Sequence, residues 1–482
     1  MRLLIILFFS FLILNGGEIT LNWIKEKPKG TAKDFFIWRF LTQPDTNATA
    51  ALDAISMVSN LNPSLRTSYK KFGDADKVLN DIKNKTPKEE PKTILSIMAP
   101  NNILKTDFPE VKFDSNLTQK KAAPIQTTKK ITQNPANIIA YSTEIEKRHL
   151  HEEMLQADFG DISSTQHFYL FLSAINLEKN EIAKEHLKTS IQKAKMVLEL
   201  DRALFWDFLV FGNQKSLERL SQSHDINFYS VQAREKLGKG FDDIIYDIET
   251  DSNETLGIDL KDPFLCVSCI SKLHKSDTKE FEKYHQIFSS SKNSKPQLST
   301  LLSALSGYKA SFFLTPYEDI LGNIANDEKA LIYALGRQES RFLPNVVSRS
   351  FAVGSMQIMP FVAEDIAKKL NEPYEIDKLF EPEHNVKYAI KVINLIKKDF
   401  THPLFVAYSY NGGAGALKKI LKRGYFKLDK FEPFMSMELY PRPETRDYGK
   451  QVLANYYIYK NYLNNEKIKF EDLLQNIPSG QL

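Results

Sequence analysis

Leu331-Ile332-Tyr333-Ala334-Leu335-Gly336-Arg337-Gln338-Glu339-Ser340-Arg341-Phe342 sets a carboxylate at the end of an apolar helical pattern. It reads as a helix opened by Asp327, in which Leu331, Leu335 and Glu339 recur every fourth residue and share one face. That face turns inward, so a carboxylate stands where the pattern calls for an apolar side chain. Burial penalises a charged carboxylate, and the negative end of its own helix, near Pro344, penalises it further. The sequence therefore predicts an acid that holds its proton near neutral pH, as general acid catalysis requires.

Three further segments accompany it. Gly354-Ser355-Met356-Gln357-Ile358-Met359-Pro360 joins a glycine suited to tight backbone approach to a proline suited to the first turn of a helix. Between them, Gln357 offers a donor and an acceptor, and the methionines offer adaptable apolar surface. Ala407-Tyr408-Ser409-Tyr410-Asn411-Gly412-Gly413-Ala414-Gly415 ends one helix and, after a glycine-rich bend, starts another. Glu438-Leu439-Tyr440-Pro441-Arg442-Pro443-Glu444-Thr445-Arg446-Asp447-Tyr448 is a proline-punctuated loop entering a helix near Pro443.

In this order and spacing the four segments resemble the catalytic domain of the soluble lytic murein transglycosylases, a lysozyme-like family that cleaves peptidoglycan. The matching pieces are Glu-Ser at 339–340, Met-Gln-Ile-Met-Pro at 356–360, Tyr-Asn-x-Gly at 410–413 and Glu-x-x-Pro…Glu-Thr-Arg-x-Tyr over 438–448. The resemblance is sharp over about 313–463 and only architectural upstream. It implies that Glu339 is the catalytic acid and base and that Gln357, Met359, Tyr410 and Asn411 line the cleft. It also implies that Glu438 binds or orients the glycan and that Ser340 holds the Glu339 carboxylate. Ser355 departs from the family pattern, which usually has an apolar residue there, and Phe351 stands where glycine is usual. Gly412, Ala414 and Gly449 are lesser departures, and none of the five removes a functional group.

Ordinary glycosidases use two carboxylates. Here one strong candidate faces the scissile bond, and the resemblance implies that the substrate supplies the rest. The acetamido carbonyl of N-acetylmuramic acid would stabilise the positive ring carbon, and its C6 hydroxyl would close onto C1, leaving a 1,6-anhydro end. A lysozyme-type hydrolase on the same scaffold, or a helical glycan-binding scaffold without turnover, are the alternatives. Intact Glu339, Gln357, Tyr410 and Asn411 argue against the last.

The chain has 482 residues, enough for two or three domains, with 42% hydrophobic and 26% charged residues. A net charge of +4 is too weak to argue for nucleic acid. Residues 1–17 read as a signal peptide: Arg2, an apolar run from Leu3 to Leu14 broken by Ser10, then Asn15-Gly16-Gly17. With the family resemblance this predicts a periplasmic protein with no integral membrane segment, acting on peptidoglycan strands and open to cell-wall synthesis proteins as partners. No metal spacing or cofactor motif is read. Cys266-Val-Ser-Cys269 reads as a local disulfide or an inert pair. Asn47, Asn84, Asn116 and Asn253 head Asn-x-Ser/Thr sequons. Asp45, Asp114 and Asp251 make Asn47, Asn116 and Asn253 the candidate N-glycosylation sites.

Upstream the pattern is helix after helix. Phe168–Leu177, a Glu-Lys-Asn-Glu turn and Ile182–Ala194 read as an αα-hairpin, continued by helical stretches at 205–211, 217–220 and 229–237. The expected fold is all-α. A helical superhelix over 18–241 carries a flexible insertion at about 84–136. A helical linker domain follows over 242–312, then a lysozyme-like catalytic domain over 313–482 with a small β element near 346–358.

Overall fold

The computed structural model describes residues 19–85, 134–251, 257–265, 278–428 and 430–478. The apolar segment at 1–17, nearly all of the 84–136 stretch, Cys266, Cys269, Asn116 and Asn253 lie outside the described residues. What is described is helical, as the pattern predicts, with one two-stranded parallel pairing of Ile244–Ile245 with Ser311–Phe312. Among the described residues no helix is long and apolar enough to cross a membrane.

Of the described residues, those within Met1–Met98, Asp242–Tyr410 and Gln451–Ile468 form one compact unit. Those within Ala99–Phe241, Asn411–Lys450 and Lys469–Leu482 form a second. Each unit is built from several stretches of chain: Phe241 and Asp242 fall in different units, and residue 313 belongs to the same unit as the N-terminal helices.

In the second unit the αα-hairpin pairs Ser164–Asn176 with Asn180–Lys193. Ser163 and Gln166 close a capping box at its start, which satisfies amides that a helix otherwise leaves unpaired. Ser164 Oγ donates to the Ser190 carbonyl oxygen at 2.8 Å and Ser190 Oγ to that of Ser164 at 2.9 Å, which small side chains alone permit. Phe168 and Phe171 meet Trp206 of helix Val197–Phe211, with ring centroids 6.2 and 5.8 Å apart. That helix stops at Gly212, whose φ of 68° suits a residue without Cβ.

In the first unit, helix Asn326–Glu339 buries every residue from Lys329 to Gly336. Tyr333 of this helix and Phe313 both meet the ring of Tyr459, at 5.4 and 5.3 Å, and Tyr459 Oη donates to the Leu314 carbonyl oxygen at 2.8 Å. The block at 242–312 brings its own core, Tyr284, Phe288, Leu298 and Leu301, from helices Thr278–Ser289 and Lys295–Leu305. Antiparallel bridges Val347↔Val353 and Val353↔Ile358 form the small β element expected near 346–358. The N-terminal helices hold it: Thr31 Oγ1 donates to the Val347 carbonyl oxygen and Asn62 Nδ2 to that of Arg349, each at 2.8 Å. Phe35 and Trp38 pack their rings on Phe351 at 5.7 and 5.6 Å. Phe351 has φ 72°, a conformation costly for any residue that carries a Cβ.

Candidate functional site

Glu339 is the last residue of helix Asn326–Glu339, half-buried, with Leu335 and Leu331 buried one and two turns behind it. Gly336 lies one turn before it. A Cβ there would stand 2.7 Å from Phe342 Cε1 and 2.9 Å from Met356 Sδ. A mid-helix glycine costs up to about 1 kcal/mol. Here it lets the following turn and the Met-Gln loop close directly on the helix. Arg337 ties the helix end down, donating from Nε to the Phe312 carbonyl oxygen at 2.8 Å and from Nη1 to Asn455 Oδ1 at 3.0 Å. Its guanidinium lies 3.8 Å from the Phe313 ring.

Beyond Glu339 the chain reverses through Arg341 and Phe342, at φ 55° and 67°. Ser340 is buried, and its Oγ donates to the Ser355 carbonyl oxygen at 2.7 Å. Ser340, which the resemblance assigns to the Glu339 carboxylate, directs its one hydroxyl proton to this carbonyl oxygen. It ties the turn after Glu339 to the Met-Gln loop.

That loop is held by its carbonyl groups. Asn385, fully buried, donates from Nδ2 to Val353 at 2.8 Å and Leu379 at 2.9 Å, and accepts at Oδ1 from the Met356 amide at 2.7 Å. Gly354, at φ 82°, admits this approach: a Cβ would lie 2.3 Å from the Leu379 oxygen and 2.4 Å from Asn385 Nδ2. The carbonyl oxygens of Val353, Gly354, Ser355 and Met356 accept in turn from side chains of Asn385, Gln357, Ser340 and Tyr410. Gln357, itself at φ 49°, directs Nε2 to the carbonyl oxygens of Gly354 and Val346 at 2.8 and 3.1 Å. Both amide protons are thereby taken up by backbone, leaving Oε1 as an acceptor on a half-buried side chain. Met359, also half-buried, precedes helix Pro360–Leu370, whose first residue is the proline that the sequence put there.

Tyr410 completes this set. Its Oη donates to the Met356 carbonyl oxygen at 2.8 Å. Burial first, and the charge of Glu339 second, push the phenol well above its usual range, so it stays protonated. The first unit thus brings together Glu339, Ser340, Gln357, Met359 and Tyr410.

Asn411 and Glu438 belong to the second unit. Asn411 is half-buried, and its Oδ1 accepts from Thr445 Oγ1 at 2.7 Å. Helix Pro443–Leu463 starts at Pro443, as its prolines predict. Glu438 is 2% exposed and accepts from Lys450 Nζ at 2.8 Å, Tyr229 Oη at 2.5 Å and Trp206 Nε1 at 3.4 Å. Burial alone would raise its pKa, but Lys450 and Arg202 outweigh it and hold the carboxyl below its ordinary range. The carboxylate is thus enclosed by three donors inside the second unit, whereas the resemblance implied that Glu438 binds or orients the glycan.

Asn385 and Tyr317, whose hydroxyl meets the Phe342 carbonyl oxygen and Ser355 Oγ, escaped the sequence reading. Asn385 was findable: it lies four and eight residues before Ala389 and Ile393, a polar residue on a buried stripe, as Glu339 is. Tyr317 left no such signal. Asn47 is exposed and caps helix Ala48–Ser56, with Oδ1 accepting from the Ala50 amide at 2.9 Å. No cluster of three or more His, Cys, Asp or Glu residues that could hold a metal ion occurs among the described residues.

Residues 318–431, which carry Glu339, the Met-Gln loop and Tyr410, match the family described as Transglycosylase SLT domain. In this region the chain is similar to proteins named soluble lytic murein transglycosylases. A putative soluble lytic murein transglycosylase of Haemophilus influenzae is 32% identical over 143 residues, 29% of this chain and 24% of that protein. The soluble lytic murein transglycosylase of Escherichia coli K12 is 32% identical over 137 residues, 28% of this chain and 21% of that one. The chain thus aligns with about a quarter or less of these curated relatives. Among solved structures, an inactive mutant of the lytic transglycosylase Slt from Pseudomonas aeruginosa superposes with a TM-score of 0.46 at 15% identity, covering 89% of this chain and 65% of that one.

Proposed function

We propose that this protein is a peptidoglycan lytic transglycosylase that cleaves the bond between N-acetylmuramic acid and N-acetylglucosamine and leaves a 1,6-anhydro end. The observation that carries the reading is one half-buried acid, Glu339, at a helix end beside a phenol that stays protonated. It stands within a region similar to proteins named lytic murein transglycosylases. Glu339 gives its proton to the glycosidic oxygen as the bond to C1 breaks. The acetamido carbonyl of the muramic acid ring stabilises C1. The Glu339 carboxylate then removes the C6 hydroxyl proton while O6 bonds to C1. The acid is regenerated and no water is consumed, and the intramolecular attack benefits from high effective molarity. Gln357 Oε1 accepts from a sugar hydroxyl or amide, and Met359 provides apolar surface to a ring. Residues 1–17 act as a leader to the periplasm, a reading supported by the sequence of that segment.

Digestion of purified murein in ¹⁸O-water, followed by mass spectrometry, tests the chemistry. Anhydro ends without label are expected, each lighter by one water than a hydrolytic product. Labelled reducing ends as the main product would make the protein a lysozyme-type hydrolase, and intact murein would refute glycan cleavage altogether.

A further inference from the structure

Of the ten non-glycine residues with left-handed backbone in the described chain, five surround the site: Tyr317, Arg341, Phe342, Phe351 and Gln357. Such conformations persist only where their surroundings over-determine them, and they gather where geometry matters to function. Phe351 is held by Phe35 and Trp38, and Gln357 by its own amide. Tyr317, at φ 66°, lies upstream of all four site motifs, and its ring meets that of Phe342 edge-on at 6.4 Å. Its Oη donates to the Phe342 carbonyl oxygen at 2.5 Å and stands 2.9 Å from Ser355 Oγ. With the phenol proton on Phe342, the buried Ser355 hydroxyl donates to the phenol oxygen. Ser340 Oγ closes the circuit on the Ser355 carbonyl oxygen at 2.7 Å. Three hydroxyls therefore join the turn that leaves Glu339 to the loop that presents Gln357.

We propose that Tyr317 is a positioning residue whose phenol, through Ser355 and Phe342, sets the placement of Glu339 relative to Gln357. The inference rests on the transglycosylase reading for its catalytic consequence and on geometry alone for the positioning. Burial pushes the phenol well above its usual range, so the link persists at any working pH.

Tyr317→Phe keeps the ring and removes the hydroxyl. A buried partner left unmade corresponds to roughly a fivefold to hundredfold effect. On murein the variant is expected to lose kcat in that range with KM changed less than about threefold, because misalignment slows chemistry more than binding. In the free protein, hydrogen exchange at the Met356 and Gln357 amides is expected to speed up at least fivefold more than exchange at amides that open only on global unfolding. Ser355→Ala cuts the same link from its other end and takes the place of Tyr317→Phe if that variant fails to fold. The double variant is expected to be no worse than the more impaired single one, since both act through one network. Unchanged kcat together with unchanged exchange would overturn the proposal, as would losses that simply add. If the wild-type protein leaves murein intact, the transglycosylase reading fails, and the exchange measurement alone decides the positioning.

Discussion

Tyr410 donates its phenolic proton to the carbonyl oxygen of Met356 at 2.8 Å, and the same phenol is raised well above its usual range by burial and then by the charge of Glu339. One side chain therefore holds the Met-Gln loop and senses the candidate acid.

Tyr410→Phe removes both effects. A loss of turnover of roughly tenfold to hundredfold is expected, with about 1–2 kcal/mol of stability lost because the Met356 oxygen is left without its donor. The pH dependence has a definite sign. The folded pKa lies above the unfolded one, so the contribution is fully present below the ordinary tyrosine range and is lost as pH rises through the folded value. Wild type should therefore lose more stability than Tyr410→Phe in alkaline urea titrations, and parallel curves would contradict the assignment.

Glu339→Gln is nearly isosteric but can neither give an acidic proton nor take one back. Turnover of murein should fall by roughly 10²–10⁴-fold with the melting temperature and glycan binding preserved. Activity within a few-fold of wild type would exclude the single-acid mechanism.

Glu438→Gln is expected to act on stability. It strips Lys450 of its closest carboxylate in a buried site, at a cost of about 3 kcal/mol. The folded Glu438 pKa lies below the ordinary value, so its contribution is present above that value and disappears as pH falls through the folded pKa. The gap in melting temperature between wild type and variant should shrink on acidification. A raised KM with unchanged melting temperature would return Glu438 to the glycan.

Gly354→Ala forces a methyl group to within 2.3 Å of the Leu379 carbonyl oxygen at a backbone φ of 82°. Asn385→Leu removes the side-chain partner of the Met356 amide and the Leu379 oxygen, and leaves the Val353 oxygen with the Ile358 amide alone. Each change should cost about 3 kcal/mol or more in denaturant unfolding. A cost below about 1 kcal/mol for both would show that the loop is held by other contacts.

A fragment beginning near Phe313 contains all four sequence motifs yet lacks Thr31, Phe35, Trp38 and Asn62. It leaves the Val347 and Arg349 oxygens without their donors and Phe351 without two of its ring partners. Such a fragment should be at least tenfold less active than a chain that keeps residues 19–85, with faster exchange across 346–358. Full activity would show that the N-terminal helices are dispensable to the site.

What depends on local spacing is legible along the chain. Period-4 recurrence put Glu339 on the inward face of its helix, Pro360 and Pro443 marked helix starts, and the glycines at 412–415 marked a bend. These follow from which side chains share a helix face and which residues tolerate a given φ, rules that act within a few positions. Tertiary structure alone decided which groups meet. The four carbonyls from Val353 to Met356 find their donors on residues 340, 357, 385 and 410, a pairing that no local rule specifies. Glu438 reads in sequence like any cleft acid, yet Tyr229, more than two hundred residues earlier, donates to it inside the second unit. Its environment is fixed by burial and by the donors around it, and both come into being only when distant helices pack.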